Sequence, residues 1–337
     1  MKKLLEKLFE HKSLNRVEAQ LLFTSITEGT ANEAQIVAAI SALKMRTITV
    51  DELNGFRQVL LDKVVPVNLN ADNAIDVCGT GGDGKNTFNI STLAAIVIAG
   101  AGYDVIKHGN YGVSSLVGSS TILENYGYQF TTDEENLANQ LSESNLCFLH
   151  APLFHPALKQ VGPIRKNLGV RTFFNFLGPL VNPVQPAYQL TGVYNLQLMR
   201  MYKQILAEER SGFKVVHSLD GFDEVSLTGP FKVAASSEEL ILYPEDLDLK
   251  TIQLTDLHGG TTVEESLHIF TQILTGKGTD EQNSAVLVNA ALGIQCFDSN
   301  KNFREAYEEA RYALQSGQAK HKLDKAVEIS KHVKIQS

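Results

Sequence analysis

The spacing of apolar residues along the chain changes character near residue 66. Up to about residue 63 they recur at helical intervals: Leu4, Leu5, Leu8 and Phe9, then Val17, Leu21 and Leu22, then Ile36, Ile40 and Leu43, then Leu53, Phe56 and Leu60. Three of these faces follow a capping signature, in which Asn15 precedes Glu18, Asn32 precedes Gln35 and Thr49 precedes Glu52. The pattern predicts four short helices in a small bundle. From Pro66 onward, short apolar runs alternate with helical patterns. Strands are expected at 74–78, 103–107, 145–149, 188–194, 213–219, 231–235 and 239–243, and helices at 92–101, 119–126, 133–143, 156–168 and 196–210. Such alternation predicts an α/β domain with a central, mostly parallel mixed sheet flanked by helices, and the close-set runs of 213–243 admit antiparallel pairs. The tail from 262 to about 332 reads as helical, with Val286, Leu287, Ala290 and Leu292 unusually apolar for a surface helix. The expected organisation is a helical domain over 1–66, completed by a crossover at 169–188 rich in Gly, Pro and Asn, and an α/β domain over 67–337.

Composition narrows the classes of function. A chain of 337 residues, 43% hydrophobic, is long enough for two domains with a sizeable core. A net charge of −8 argues against nucleic acid or an anionic membrane as the main partner. Cys78, Cys147 and Cys296 are too widely spaced for a disulfide framework or a zinc pattern. Met1-Lys2-Lys3 leads directly into an amphipathic pattern without a signal peptide, and no run reaches membrane-span length, so a cytoplasmic protein is expected.

The candidate chemistry centres on Gly79-Thr80-Gly81-Gly82-Asp83-Gly84-Lys85-Asn86-Thr87-Phe88-Asn89-Ile90-Ser91-Thr92, which lies between an expected strand and an expected helix. Glycines let backbone N–H groups approach an oxyanion, and the helix start adds partial positive charge, so a phosphate or pyrophosphate is the natural guest. Two familiar templates fail. A dinucleotide fingerprint needs an acidic residue at the end of the next strand, where this chain has Lys107-His108. A nucleotide-triphosphate loop needs Ser or Thr after Lys85, where this chain has Asn86.

A third template fits at many points. Gly79-Thr80-Gly81-Gly82-Asp83, Asn89-Ile90-Ser91-Thr92, Lys107-His108-Gly109-Asn110, His155-Pro156-Ala157, Pro163-Ile164-Arg165-Lys166, Leu168-Gly169-Val170-Arg171-Thr172, Asn175-Phe176-Leu177-Gly178-Pro179 and Asp220-Gly221-Phe222-Asp223-Glu224 follow one another along the chain. In this the chain resembles the anthranilate phosphoribosyltransferase family over nearly its whole length. The resemblance implies transfer of the phosphoribosyl group of 5-phosphoribosyl 1-pyrophosphate (PRPP) to the amine of anthranilate, with release of pyrophosphate, in tryptophan biosynthesis. It implies PRPP contacts at Gly79, Gly82, Asp83, Thr87, Asn89, Ile90, Ser91, Thr92, Lys107, His108, Gly109, Asn110, Ser114, Ser115 and Ser119. Gly79, Asn110 and Arg165 would meet anthranilate, Arg165 through its carboxylate, a planar anion suited to a guanidinium fork. Ser91, Asp223 and Glu224 would ligate magnesium, with two ions per site expected. No general base is nominated, because an arylamine is already neutral at pH 7. The implied assembly is a homodimer, with no nucleic-acid or membrane partner.

The chain also departs from this family. Its members commonly carry a basic residue where this chain has Tyr111, a second where it has Leu116, and Asp where it has Thr121. The expected consequence is weaker attraction of phosphate in this loop and a raised KM for the donor. The nearest rivals are a pyrimidine nucleoside phosphorylase, whose Lys-His-Ser-Thr-Gly-Gly loop is absent here, and a non-catalytic nucleic-acid-binding relative, which the acidic balance disfavours.

Overall fold

A computed structural model describes residues 1–112 and 117–332. The chain divides into two compact units, one of residues 1–66 with 151–183, the other of residues 67–150 with 184–337.

The first unit opens with α1 (Lys2–Phe9), α2 (Arg16–Thr27), α3 (Glu33–Lys44) and α4 (Val50–Asp62). All three expected capping boxes are formed: Asn15 with Glu18, Asn32 with Gln35 and Thr49 with Glu52. Glu52 does more than cap. It is fully buried, where it accepts the Leu14 N–H at 2.8 Å and pairs with the Arg46 guanidinium. The returning segment lays Phe173 on Phe56, with ring centroids 4.6 Å apart, and Arg57 Nε donates to the Leu180 carbonyl at 2.8 Å. The helix expected over 156–168 is broken into a 3-10 turn, Pro156–Leu158, and a helix, Gly162–Leu168. Pro163 explains the break: it has no N–H to give a preceding turn but is tolerated at a helix start. His155 caps nothing with its side chain, because its Nε2–H donates to the Val181 carbonyl at 2.8 Å.

The second unit is built on a sheet of β1 (Ala74–Gly79), β2 (Asp104–Gly109), β3 (Leu146–His150), β4 (Tyr188–Gly192), β5 (Gly212–Ser218), β6 (Phe231–Ala234) and β7 (Glu239–Leu242). Their order is β3-β2-β1-β4-β5-β6-β7, parallel from β3 to β5 and antiparallel from β5 to β7. The mixed, mostly parallel sheet expected from the alternation is therefore present. Helix α5 (Ile90–Gly100) follows β1 and is buried on nearly every side, packed against the helix Asp280–Phe297, which accounts for the apolar tail noted above. The strand order reverses direction at β1, with β2 on one side and β4 on the other. In open parallel sheets, ligands bind outside the carboxyl ends of the strands at such a reversal. The carboxyl ends there are Gly79 and Gly192, which face each other in register.

Candidate active site

The glycine loop leaves β1 at the point where the strand order reverses. Gly81, Gly82 and Gly84 adopt φ of +63°, +78° and +77°, the left-handed region that side chains resist. Its first turn is fixed on both sides: Thr80 N–H donates to the Gly192 carbonyl at 2.9 Å, and Gly81 N–H donates to Asp223 Oδ2 at 2.6 Å. Gly79 and Gly192 have no room for a side chain, since a Cβ on the first would meet the Asp223 carboxylate and on the second the Asp223 backbone carbonyl. Further along the loop, Asp83 Oδ1 accepts the Lys85 N–H at 3.0 Å and Thr87 Oγ1 donates to Glu224 Oε1 at 3.0 Å. The loop and the Asp223-Glu224 pair, far apart in sequence, thus form one structure.

Asp83 joins that pair. Carboxylate oxygens of Asp83, Asp223 and Glu224 lie within 4.8 Å of one another. Burial pushes the Asp223 carboxyl above its usual range, against the pull of the hydrogen bonds from Glu224 and Gly81 and the charge of Lys107. Burial pushes Glu224 well above its usual range, reinforced by the charges of Asp223 and Asp83. Clustered carboxylates at this spacing repel each other and favour a hard divalent cation. An all-oxygen donor set in a buried recess fits magnesium.

Lys107, on β2, is also buried; its ammonium donates to the Val77 carbonyl and lies 3.5 Å from Ser91 Oγ. Burial lowers its pKa, opposed among others by the negative charges of Asp76 and Asp223. Ser91 therefore meets Lys107 at the first turn of α5, whereas the acidic group is completed by Asp83. Asn89 precedes α5 without capping it: among the described residues no side chain caps this helix, and Asn89 Nδ2 donates to the Val117 carbonyl at 3.2 Å. The start of α5, with buried Ile90 and Thr92, thus keeps its anion-binding character.

Near the end of β2, the His108 N–H donates to Asp76 Oδ1 at 3.2 Å, which explains the one acidic residue inside the apolar β1 run. Gly109 is packed against Ser119, whose hydroxyl donates to the Asn110 carbonyl at 3.2 Å. The Asn110 side chain accepts the Tyr111 N–H at 2.7 Å. Tyr111, a side chain without positive charge, donates its hydroxyl to Glu124 at 2.9 Å. Ser114, Ser115 and Leu116 lie outside the described residues.

Arg165 belongs to the first unit. Its guanidinium stands 4.9 Å from the centre of the Phe174 ring, which stacks in turn on Phe173 at 4.3 Å. Burial alone lowers its pKa, with no carboxylate among the described residues acting against it. A half-buried guanidinium held over an aromatic face without an acid is prepared for an anion from outside.

Two features escaped the sequence reading. Lys85, rejected as a nucleotide-loop lysine, places its ammonium 4.7 Å from the centre of the Phe222 ring, the residue before Asp223. The segment Leu257–Gly260 pairs with Asn86–Phe88. Neither has a distinctive local motif, although Gly259-Gly260 marks a backbone position under constraint.

Comparison with known proteins agrees with this arrangement. Residues 2–64 match a family described as "Glycosyl transferase family, helical bundle domain", and residues 71–320 match "Glycosyl transferase family, a/b domain". The chain is 49% identical to an anthranilate phosphoribosyltransferase of Flavobacterium johnsoniae over 98% of this chain and all of that one. It superimposes on an anthranilate phosphoribosyltransferase of Thermus thermophilus with a TM-score of 0.90 at 31% identity, covering 97% of this chain and 99% of that one. The Saccharomyces cerevisiae anthranilate phosphoribosyltransferase in complex with PRPP and Mg gives a TM-score of 0.89 at 26% identity, covering 98% of each chain. With both units matched and near-complete coverage of its relatives, the chain belongs to the glycosyl transferase family, among the anthranilate phosphoribosyltransferases.

Proposed function

We propose that the protein transfers the phosphoribosyl group of PRPP to the amine of anthranilate, giving N-(5-phosphoribosyl)anthranilate and pyrophosphate. The observation that carries this reading is the union of the glycine loop, buried Lys107 and the Asp83, Asp223 and Glu224 carboxylates at the carboxyl ends of β1, β2 and β4. In the reaction the bond from ribose C1 to the pyrophosphate oxygen breaks, positive charge builds on the sugar ring, the amine nitrogen bonds to C1 and the amine sheds a proton. The chain has to hold the departing pyrophosphate and place the two reactants.

The loop backbone at Gly79 and Gly82 and the start of α5 supply N–H donors, and Asn89, Ser91 and Thr92 supply side-chain donors. Lys107 adds a positive charge in a setting of low dielectric, where it acts strongly on a phosphate. His108, Gly109, Asn110, Ser114, Ser115 and Ser119 continue the donor site. Asp83, Asp223 and Glu224 would hold magnesium, which when bound neutralises pyrophosphate charge; Ser91 is a further ligand in this reading and two ions are expected. Arg165 is the proposed partner of the anthranilate carboxylate, supported by its aromatic seat and its want of an acid among the described residues. A homodimer and a cytoplasmic location complete the proposal; the three cysteines are free and buried, and no described helix is long and apolar enough to cross a membrane. The test is product analysis with three substrate sets. Formation of the anthranilate ribotide with stoichiometric pyrophosphate is expected, and phosphorolysis of thymidine or uridine with no anthranilate turnover would overturn the reading.

A further inference from the structure

The second half of the glycine loop is held by a segment that the proposed chemistry does not use. Phe88 N–H donates to the Leu257 carbonyl at 3.0 Å, Gly259 N–H donates to the Asn86 carbonyl at 2.8 Å, and Thr87 faces His258 in an antiparallel bridge. Asn86 Nδ2 adds a bond to the Gly260 carbonyl at 2.8 Å. The bracing segment is itself fixed, since buried Ser266, in the helix Val263–Leu274, donates its hydroxyl to the Gly259 carbonyl. Gly260 takes φ +89°, which lets the chain turn into that helix. Gly259 is closed in: a Cβ there would lie 2.5 Å from the Thr87 carbonyl oxygen and 2.9 Å from Phe88 N.

The consequence falls on Glu224. Thr87, held by this ladder, donates its hydroxyl to Glu224 Oε1 at 3.0 Å. That bond occupies one acceptor site of the carboxyl group, which lies in the cluster where oxygens of Asp83, Asp223 and Glu224 come within 4.8 Å of one another. The bonds from Thr80 and Gly81 fix the first turn of the loop, several residues before Thr87, whereas the bonds to Leu257–Gly260 act on Asn86 and Phe88, the residues on either side of it. Without the brace, part of the order around Thr87 would have to be supplied on donor binding, and that cost would appear as lost donor affinity.

We infer that Leu257–Gly260 is a positioning element for the pyrophosphate end of the site, acting through Thr87 on the Glu224 carboxylate. The inference rests on the reading of the site given under the proposed function. Its test is magnesium-dependent PRPP binding, measured calorimetrically without an acceptor for the wild type, Gly259→Ala, Asn86→Ala and Thr87→Val. Each variant is expected to weaken binding about tenfold, the effect of one or two hydrogen bonds of ordinary net strength. The Asn86→Ala/Thr87→Val pair is expected to weaken it by less than the product of the single effects. Asn86→Ala alters an exposed side chain, so it carries the test should Gly259→Ala fail to fold, and its melting temperature in EDTA is expected to stay near that of the wild type. Unchanged PRPP affinity in a folded Asn86→Ala protein, or independent effects in the pair, would overturn the inference by reducing the brace to a fold-holding role. Failure of the wild type to bind PRPP would overturn this inference and the proposed function together. Intact PRPP binding without anthranilate turnover would overturn only the acceptor assignment, leaving the brace to be judged by the affinities.

Discussion

Removing one negative charge from the acidic group should stabilise the metal-free protein while abolishing its ligand response. Glu224→Gln is the chosen perturbation, since the amide keeps the shape and can still accept the Thr87 hydroxyl. Carboxylate oxygens within 4.8 Å of one another repel by about 3.5 kcal/mol per ionised pair at an effective dielectric of ~20. Protonation of Glu224 relieves part of this, which is why burial and the charges of Asp223 and Asp83 push its pKa well above the usual range. The sign follows from that direction. A carboxyl whose folded pKa is raised costs no stability below its unfolded pKa, and stability is lost as pH rises from there through the folded pKa. The variant is spared the loss, so in EDTA near pH 8 it should melt higher than the wild type by about 1.5–3 °C, the equivalent of roughly 1–2 kcal/mol for a chain of 337 residues. Its advantage should shrink toward pH 5. With magnesium and PRPP at about 100 times their dissociation constant the wild type gains roughly 2.7 kcal/mol, whereas the variant gains little, so the order of melting temperatures reverses. Differential scanning calorimetry in both conditions is the assay. A variant less stable than the wild type in EDTA, or one showing the full ligand shift, would refute the reasoning.

Three further outcomes follow from individual side chains. Lys85→Met should raise KM for PRPP about threefold and flatten its dependence on salt, as expected for one partly solvated charge near the acidic group, with KM for anthranilate unchanged in steady-state kinetics. Phe174→Leu removes the aromatic seat of Arg165 and should raise KM for anthranilate about fivefold while leaving KM for PRPP within twofold, measured by the same kinetics. His155, buried and donating Nε2–H to Val181, has its pKa brought down to about 4 by burial, so stability present above its unfolded pKa of ~6.5 is lost as pH falls toward the folded value. Between pH 7.5 and 5.0 the wild type should lose about 2 kcal/mol more than His155→Gln in urea unfolding.

The elements were legible because their signals are local. Capping pairs such as Asn32 with Gln35 depend only on residues three apart, and all three expected pairs are formed. The strand positions followed from short apolar runs, which place β1, β2 and β4 within two residues of their observed bounds. The break before Gly162 was missed because the apolar spacing across 156–168 is helical throughout, while Pro163 acts through its absent N–H rather than its polarity. Within the site, motif order gave the residues but not their partners. Asp83 was read as a substrate contact, and nothing in its own loop announces the two acids that come to it from beyond β5. Ser91 beside Lys107, and Leu257–Gly260 beside Thr87, are likewise contacts made by chain crossings that no local pattern encodes. Tyr111 illustrates the converse: the sequence marks it as a missing cation, and the fold adds that its hydroxyl is engaged by Glu124.

The central claim is that the joined glycine loop, Lys107 and acidic group pass the phosphoribosyl group of PRPP to anthranilate. The most direct measurement follows the loss of anthranilate fluorescence by the purified protein with PRPP and magnesium present together, each omitted in turn, and again with Asp223→Asn/Glu224→Gln. The account predicts a decay that requires both components and is lost in the double variant, while persistence of the decay without PRPP, or at the wild-type rate in the variant, would contradict it.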